Sequence, residues 1–283
     1  MVDISAESAF QIDFNLYQVP SAVGVNVPPE AAAAMLNITV EQFNGYTAQA
    51  FAECTRVAQT LVDKPGTVEA IRKLKTSPKG ASVSTIMTVG DSITTYRYSY
   101  AEIIRALLGL VDPQQEATFI NNGRSGDTSM HGLEHTYFLY LAHKPDWVFL
   151  KFGANDAKHF GGAGTKPLVS LEEYTANFTL MVDGYLKSGA RVVVLTPTPV
   201  VESIVSSNEW YQSVQMTWDN ADIQACADAL KGITTKRSIP LVDLVSLFTR
   251  KPDAALYCPD GLHPNAAGHQ QIIEQVLKAI NTY

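Results

Sequence analysis

The chain has 283 residues, 46% hydrophobic and 17% charged, with 21 basic against 28 acidic residues and a formal net charge of −7. That length suffices for one large domain or two modest ones, with a sizeable core that needs no disulfide or metal staples. No apolar run reaches the roughly 18 residues of a membrane span, and the acidic balance argues against a polyanion-binding surface, so neither membrane insertion nor a nucleic-acid partner is expected.

Taken in chain order, residues 10–16 (FQIDFNL) alternate apolar and polar, which predicts a half-buried strand. Pro28-Pro29 opens an alanine-rich helical turn. Thr39 with Gln42 forms a capping box for a longer helix whose apolar positions Val40, Phe43, Ala50, Cys54, Val57 and Leu61 recur at helical spacing. Residues 63–66 (DKPG) read as a turn, Val68, Ile71 and Leu74 mark a third helix, and residues 76–82 read as a linker. Residues 1–82 are thus expected to be a mainly helical extension, without a nameable motif, that packs on the rest of the chain or on a partner subunit. No signal peptide is expected in the first 20 residues, which lack a basic and an apolar region. That leaves a cytoplasmic protein or a mature secreted one, with the low charge content leaning to the second.

From residue 83 the pattern changes. Apolar runs at 83–89, 117–121, 146–152, 190–196 and 239–244 alternate with helical periodicity at 98–109, 128–142, 171–188 and 220–231, and a last helix covers 266–281. Near-continuously apolar strands interleaved with helices predict an α/β fold with a parallel sheet covered on both faces, over residues 83–283. Cys54, Cys226 and Cys258 have no CxxC spacing; one pair plus a free thiol and three buried thiols both fit.

In open α/β sheets ligands bind beyond the carboxyl ends of the strands. Four polar clusters fall there or before the last helix: GDSI (90–93), NNGRSG (121–126), GAND (153–156) and DGLH (260–263). In that order, these resemble the four blocks of the SGNH, or GDSL-type, hydrolase family. The resemblance implies a flavodoxin-like three-layer α/β/α fold with a five-stranded parallel sheet of order 2-1-3-4-5. It also implies a serine ester hydrolase working through an acyl-enzyme, with no cofactor and no metal.

The chemistry agrees with that assignment. Ser92 needs an adjacent base, and His263 is the candidate, imidazole titrating near 6.5. Asp260, three residues earlier, can reach the other ring nitrogen and hold the tautomer. The resemblance assigns the oxyanion hole to the Ser92 N–H, the Gly123 N–H and the Asn155 side chain. Asp91 and Asp156 read as orienting or structural residues.

Two other constellations compete. His131 and His135, in an H-x-x-E-H spacing interrupted by Gly132, formally suit a metal-dependent hydrolase, although surface or structural histidines fit as well. Residues 161–166 (GGAGTK) superficially suggest a phosphate loop but lack its ending, and read instead as a flexible cleft loop. No G-x-S-x-G elbow surrounds Ser92, which argues against the ordinary α/β-hydrolase fold.

Residues 171–199 are similar to carbohydrate esterases that deacetylate pectin and xylan. This resemblance implies removal of acetyl or other short acyl groups from carbohydrate or small-molecule esters. Val200 departs from the pattern, where arginine is often expected. The other readings are a lipid or lysophospholipid esterase, an acyltransferase on the same site, and a non-catalytic carbohydrate-binding relative. Candidate substrate contacts are Arg124 (otherwise paired with an acid), His159 (otherwise simply surface-exposed), and Trp210 and Trp218 (otherwise a covered core edge). Asn37 and Asn177 are formal glycosylation acceptors.

Overall fold

A computed structural model describes residues 2–16, 28–162, 164–249 and 251–283. Five parallel strands form the central sheet: β1 (Ser84–Gly90), β2 (Ala117–Gly123), β3 (Trp147–Lys151), β5 (Arg191–Leu195) and β7 (Leu241–Val242). Their spatial order is β2-β1-β3-β5-β7, which is 2-1-3-4-5 when only these five are counted. A separate antiparallel pair joins β4 (Lys158–Phe160) to β6 (Met216–Trp218).

The register places the strand ends together. Gly90, the last residue of β1, lies opposite both Gly123 and Lys151, the last residues of its two neighbours. Everything that follows these strands therefore emerges at one edge of the sheet, the side where α/β folds bind ligands.

Helices cover both faces, as the apolar runs require. On one face lie α7 (Ser129–Phe138), α8 (Leu171–Lys187) and α11 (Asn220–Arg237), packed on Met87, Val148 and Val192 through residues such as Phe178, Met181 and Leu230. On the other lie α6 (Tyr100–Leu110) and α13 (Ala266–Asn281), joined by α3 (Val40–Val62) and α4 (Thr67–Lys75). Cys54, Val57, Leu61, Ile71 and Leu74 from these two N-terminal helices share one continuous core with Ile86, Trp147 and Phe149 of the sheet. The capping box at the start of α3 is formed: Thr39 Oγ1 accepts the Gln42 N–H at 3.0 Å, and Gln42 Oε1 accepts the Thr39 N–H at 2.9 Å. Short helices α2 (Pro29–Met35), α9 (Glu202–Ser207), α10 (Glu209–Ser213) and α12 (Leu244–Phe248) fill the connections.

Residues 10–16 are not a strand. They belong to a helix, α1 (Ala6–Gln11), capped by Ser5, and to a short π-helix over Ile12–Leu16. The apolar positions 10, 12 and 14 satisfy a period of two, but Phe10 and Phe14 also satisfy the i, i+4 spacing of a helix. A seven-residue window cannot separate the two periods. Ile12, Asp13 and Phe14 are buried consecutively, which the alternation of a half-buried strand does not allow.

Two smaller readings are settled by burial. The three cysteines are all free, with Cys54 and Cys226 buried and Cys258 partly so. Asn177 is buried, its amide donating to Ser129 Oγ at 3.1 Å, so it is closed to glycosylation in the folded chain, whereas Asn37 is exposed.

Candidate active site

Ser92 opens a single helical turn, α5 (Ser92–Thr95), directly after β1. Asp91 caps it: Asp91 Oδ1 accepts the Ile93 N–H at 3.0 Å. The same carboxylate meets the Lys151 ammonium at 3.1 and 3.2 Å, and both side chains are fully buried. As the first helical residue, Ser92 keeps an N–H without an intrahelical partner, and no acceptor engages it among the described residues.

The last site segment is a closed turn. Tyr257 bridges Pro264, the Cys258 N–H donates to the His263 carbonyl at 2.8 Å, and the Gly261 N–H donates to the Cys258 carbonyl at 3.0 Å. Gly261 has a φ of +71°, a region that favours glycine, and a Cβ there would meet Ile204 at 2.7 Å. This turn makes the i, i+3 spacing productive. Asp260 Oδ1 accepts the N–H groups of Leu262 and His263, while Oδ2 lies 2.5 Å from His263 Nδ1. His263 Nε2 lies 2.8 Å from Ser92 Oγ. Burial tends to raise the Asp260 carboxyl, but the His263 ring and the two backbone N–H groups hold it below the usual carboxylate value.

Asn155 stands at the third strand's exit. Its amide donates one N–H to the Asp127 carbonyl at 3.0 Å, leaving a second N–H on the same nitrogen. The Gly123 N–H, by contrast, is engaged: it donates to the side-chain Oδ1 of Asn121, two residues back, at 3.0 Å. It is therefore not an available oxyanion donor. Gly123 is a glycine for another reason, since a Cβ would lie 2.8 Å from the backbone of Thr94 and Thr95 in the Ser92 turn. Three residues on, Gly126 has a φ of +85°, and its N–H meets no acceptor among the described residues. It directly precedes Asp127, whose carbonyl holds Asn155. The signal for it lay in the same NNGRSG block, but spacing alone does not show which of two glycines has its N–H engaged.

Asp156 is structural. Its two oxygens accept the Ser129 N–H at the start of α7, at 2.9 and 3.1 Å. Burial raises its carboxyl from 3.8 to about 6, against the opposing effect of the Ser129 contacts. A folded-state value above the unfolded one means that its contribution to stability is complete below about pH 4 and is lost as pH rises through 6. The difference in unfolding free energy between the wild type and Asp156→Asn should therefore shrink from pH 4 to pH 7 in urea titrations. A difference independent of pH would contradict this account.

The remaining candidates separate. His159 is buried rather than surface-exposed, with Nδ1 2.6 Å from the Thr165 carbonyl and Nε2 2.8 Å from Asp222 Oδ2. The glycine loop is thereby tied down at Thr165, while its Ala163 lies outside the described residues. Trp218 is buried, stacked edge-on against Tyr211, and donates its indole N–H to the Ala154 carbonyl at 2.7 Å. It belongs to the core edge, whereas Trp210 is 63% exposed. His159 and Trp218 border a cavity of about 690 Å³ that none of Ser92, Asp260 and His263 lines. Arg124 pairs with a histidine rather than an acid, its Nη1 3.1 Å from His135 Nε2. His135 Nδ1 faces Asp127 at 3.5 Å, and His131 Nδ1 meets the N–H and hydroxyl of Thr128 at the start of α7. The two histidines thus serve separate local networks and do not share a metal-ligating set. Val200 is buried, its backbone N–H and carbonyl both held by the Asn220 amide.

A parallel sheet of this order, with a serine, a histidine and a carboxylate brought together at its carboxyl edge and no nucleophile elbow, defines an SGNH-type carboxylic ester hydrolase. Residues 88–271 match the model of the GDSL-like Lipase/Acylhydrolase family, and the chain belongs to that family. It is similar to a GDSL esterase/lipase, CPRD49, of Arabidopsis thaliana, at 26% identity over 59% of this chain and 67% of the relative. An arylesterase of Vibrio mimicus is 34% identical over 39% of this chain and 52% of its own length. An acetylxylan esterase of Geobacillus stearothermophilus is 24% identical over 69% of this chain and 93% of its own. Among solved structures, an acetylxylan esterase from Geobacillus stearothermophilus aligns with a TM-score of 0.55 at 21% identity, covering 71% of this chain and 96% of that one.

Proposed function

We propose that the chain removes acetyl or other short acyl groups from carbohydrate or small-molecule alcohols through a Ser92–His263–Asp260 triad and an acyl-enzyme. The observation that carries this reading is the continuous contact from Asp260 through the His263 ring to Ser92 Oγ. His263 takes the Ser92 proton as Oγ attacks the acyl carbon, then gives it to the departing alcohol. Water, activated by the same ring, releases the acid and restores Ser92. Asp260 keeps Nε2 free as acceptor and stabilises the imidazolium formed on the way.

The developing oxyanion needs donors already in place. The Ser92 N–H and the second Asn155 N–H are two; the Gly126 N–H, in place of Gly123, is the third. The acetylxylan esterase relative supports a short acyl group. The test is a panel of p-nitrophenyl esters by chain length, alongside acetylated xylan and pectin. The expected order of kcat/KM is acetate above butyrate above octanoate. A preference for the longest chain would overturn the short-acyl reading, and no hydrolysis at all would overturn the reaction.

A further inference from the structure

The catalytic histidine does not stand alone: the N-terminal segment reaches over it. The Phe14 ring lies 4.4 Å from the His263 ring, centroid to centroid, and stacks on Tyr96 at 4.7 Å and 10°. Phe10 packs on Phe14 at 4.9 Å and stands edge-on to His263 at 6.5 Å and 70°. Phe14 is 5% exposed, yet Phe10 is 43% exposed. A large aromatic ring that is open to solvent within one side chain's reach of the proposed general base calls for an explanation.

The segment is built into the fold. Arg97 donates its backbone N–H to the Asp13 carbonyl at 3.2 Å and its Nη2 to the Ile12 carbonyl at 3.4 Å. Asp13 Oδ2 accepts the Tyr46 hydroxyl at 3.0 Å, and Asp13 Oδ1 lies 3.9 Å from Arg97 Nε. Ile12 is fully buried against Ala32, Ala33 and Phe43. Residues from α2, α3 and the loop after α5 thus hold positions 12–14 in place, and the helical spacing carries Phe10 to the same side as Phe14.

We propose that Phe10, backed by Phe14, is the wall of the alcohol-side subsite and selects esters whose alcohol carries a flat ring. This rests on the serine-esterase reading. His263 must hand its proton to the departing oxygen, so the alcohol has to sit on the His263 side of Ser92. A ring attached to that oxygen then comes within stacking range of Phe10, whose face attracts aromatic edges and ring C–H groups. Phe14, enclosed between Tyr96 and His263, is a positioning residue that fixes the imidazole plane and supports Phe10.

All acetates share one acetyl-enzyme, so the alcohol is felt only up to acylation, the step that kcat/KM reports. The experiment compares kcat/KM for phenyl acetate and ethyl acetate in the full-length protein. Phe10→Ala should lower the phenyl-to-ethyl ratio about fivefold, the scale of one aromatic pair, while Phe10→Tyr should retain it. Should Phe10→Ala fail to fold, Phe10→Leu keeps the apolar bulk without the ring and should lose the same selectivity. A ratio unchanged in the Ala or Leu variant, or an equal loss on both esters, overturns the subsite. Hydrolysis of both esters by Ser92→Ala at the wild-type rate overturns the triad reading beneath it, a separate outcome.

Discussion

Ser92→Ala is expected to lower kcat for acetyl-ester hydrolysis by on the order of 10⁵–10⁶, the scale seen when a serine nucleophile is removed from a triad. The Ser92 hydroxyl has one hydrogen-bond partner among the described residues, His263 Nε2, so its loss disturbs no structural contact. Another hydroxyl in the turn, Thr94 Oγ1, is paired with the Tyr100 hydroxyl at 3.1 Å and is fully buried. It cannot substitute. The fold should be unchanged in circular dichroism, and a serine-directed phosphonate should no longer label the protein. Residual activity of roughly 10³ over water is compatible with the remaining oxyanion donors. Turnover within about tenfold of the wild type would refute the assignment of Ser92.

Lys151→Met is expected to destabilise the protein by about 3–5 kcal/mol, because it leaves the Asp91 carboxylate buried without a counter-charge. Lys151 ends β3 with its side chain fully buried, and burial pushes its ammonium below the usual lysine value while Asp91 opposes the shift. The pair sits directly behind Ser92. Asp91 accepts the Ile93 N–H, so an Asp91 that moves to find water takes the Ser92 turn with it. Activity should fall along with stability. Removing both charges, as in Asp91→Asn with Lys151→Met, should recover most of the lost unfolding free energy, since a buried pair replaced as a unit is often nearly neutral. Urea unfolding of the two variants decides the matter: a single variant as stable as the wild type would show that the pair contributes little.

Much of this molecule was legible in its sequence because the signals are local. Thr39 and Gln42 cap α3 as their spacing predicts, and the five apolar runs are the five strands of the main sheet. Asp260 reaches His263 because three residues in one turn suffice. Other positions misled for equally physical reasons. The alternation in residues 10–16 met no strand to pair with, and the i, i+4 contact of Phe10 and Phe14 prevailed. Gly123 stood in the expected block, but the side chain of Asn121 engages its N–H, leaving Gly126 with the free one. Trp218 had the aromatic character of a sugar platform, yet its indole N–H found the Ala154 carbonyl and closed it into the core.

Local sequence determined the class of fold, the positions of the strands and the candidates for the reacting groups, since caps, turns and apolar periodicity act over a few residues. Tertiary structure alone decided three other things: that Lys151 neutralises Asp91 across 60 positions, that Ser92 meets His263 across 171, and that Phe14 lies on the His263 ring. Those contacts join segments that share no local pattern. They exist only because the parallel register aligns the strand ends, and because Arg97 and the N-terminal helices hold the first residues of the chain against the site.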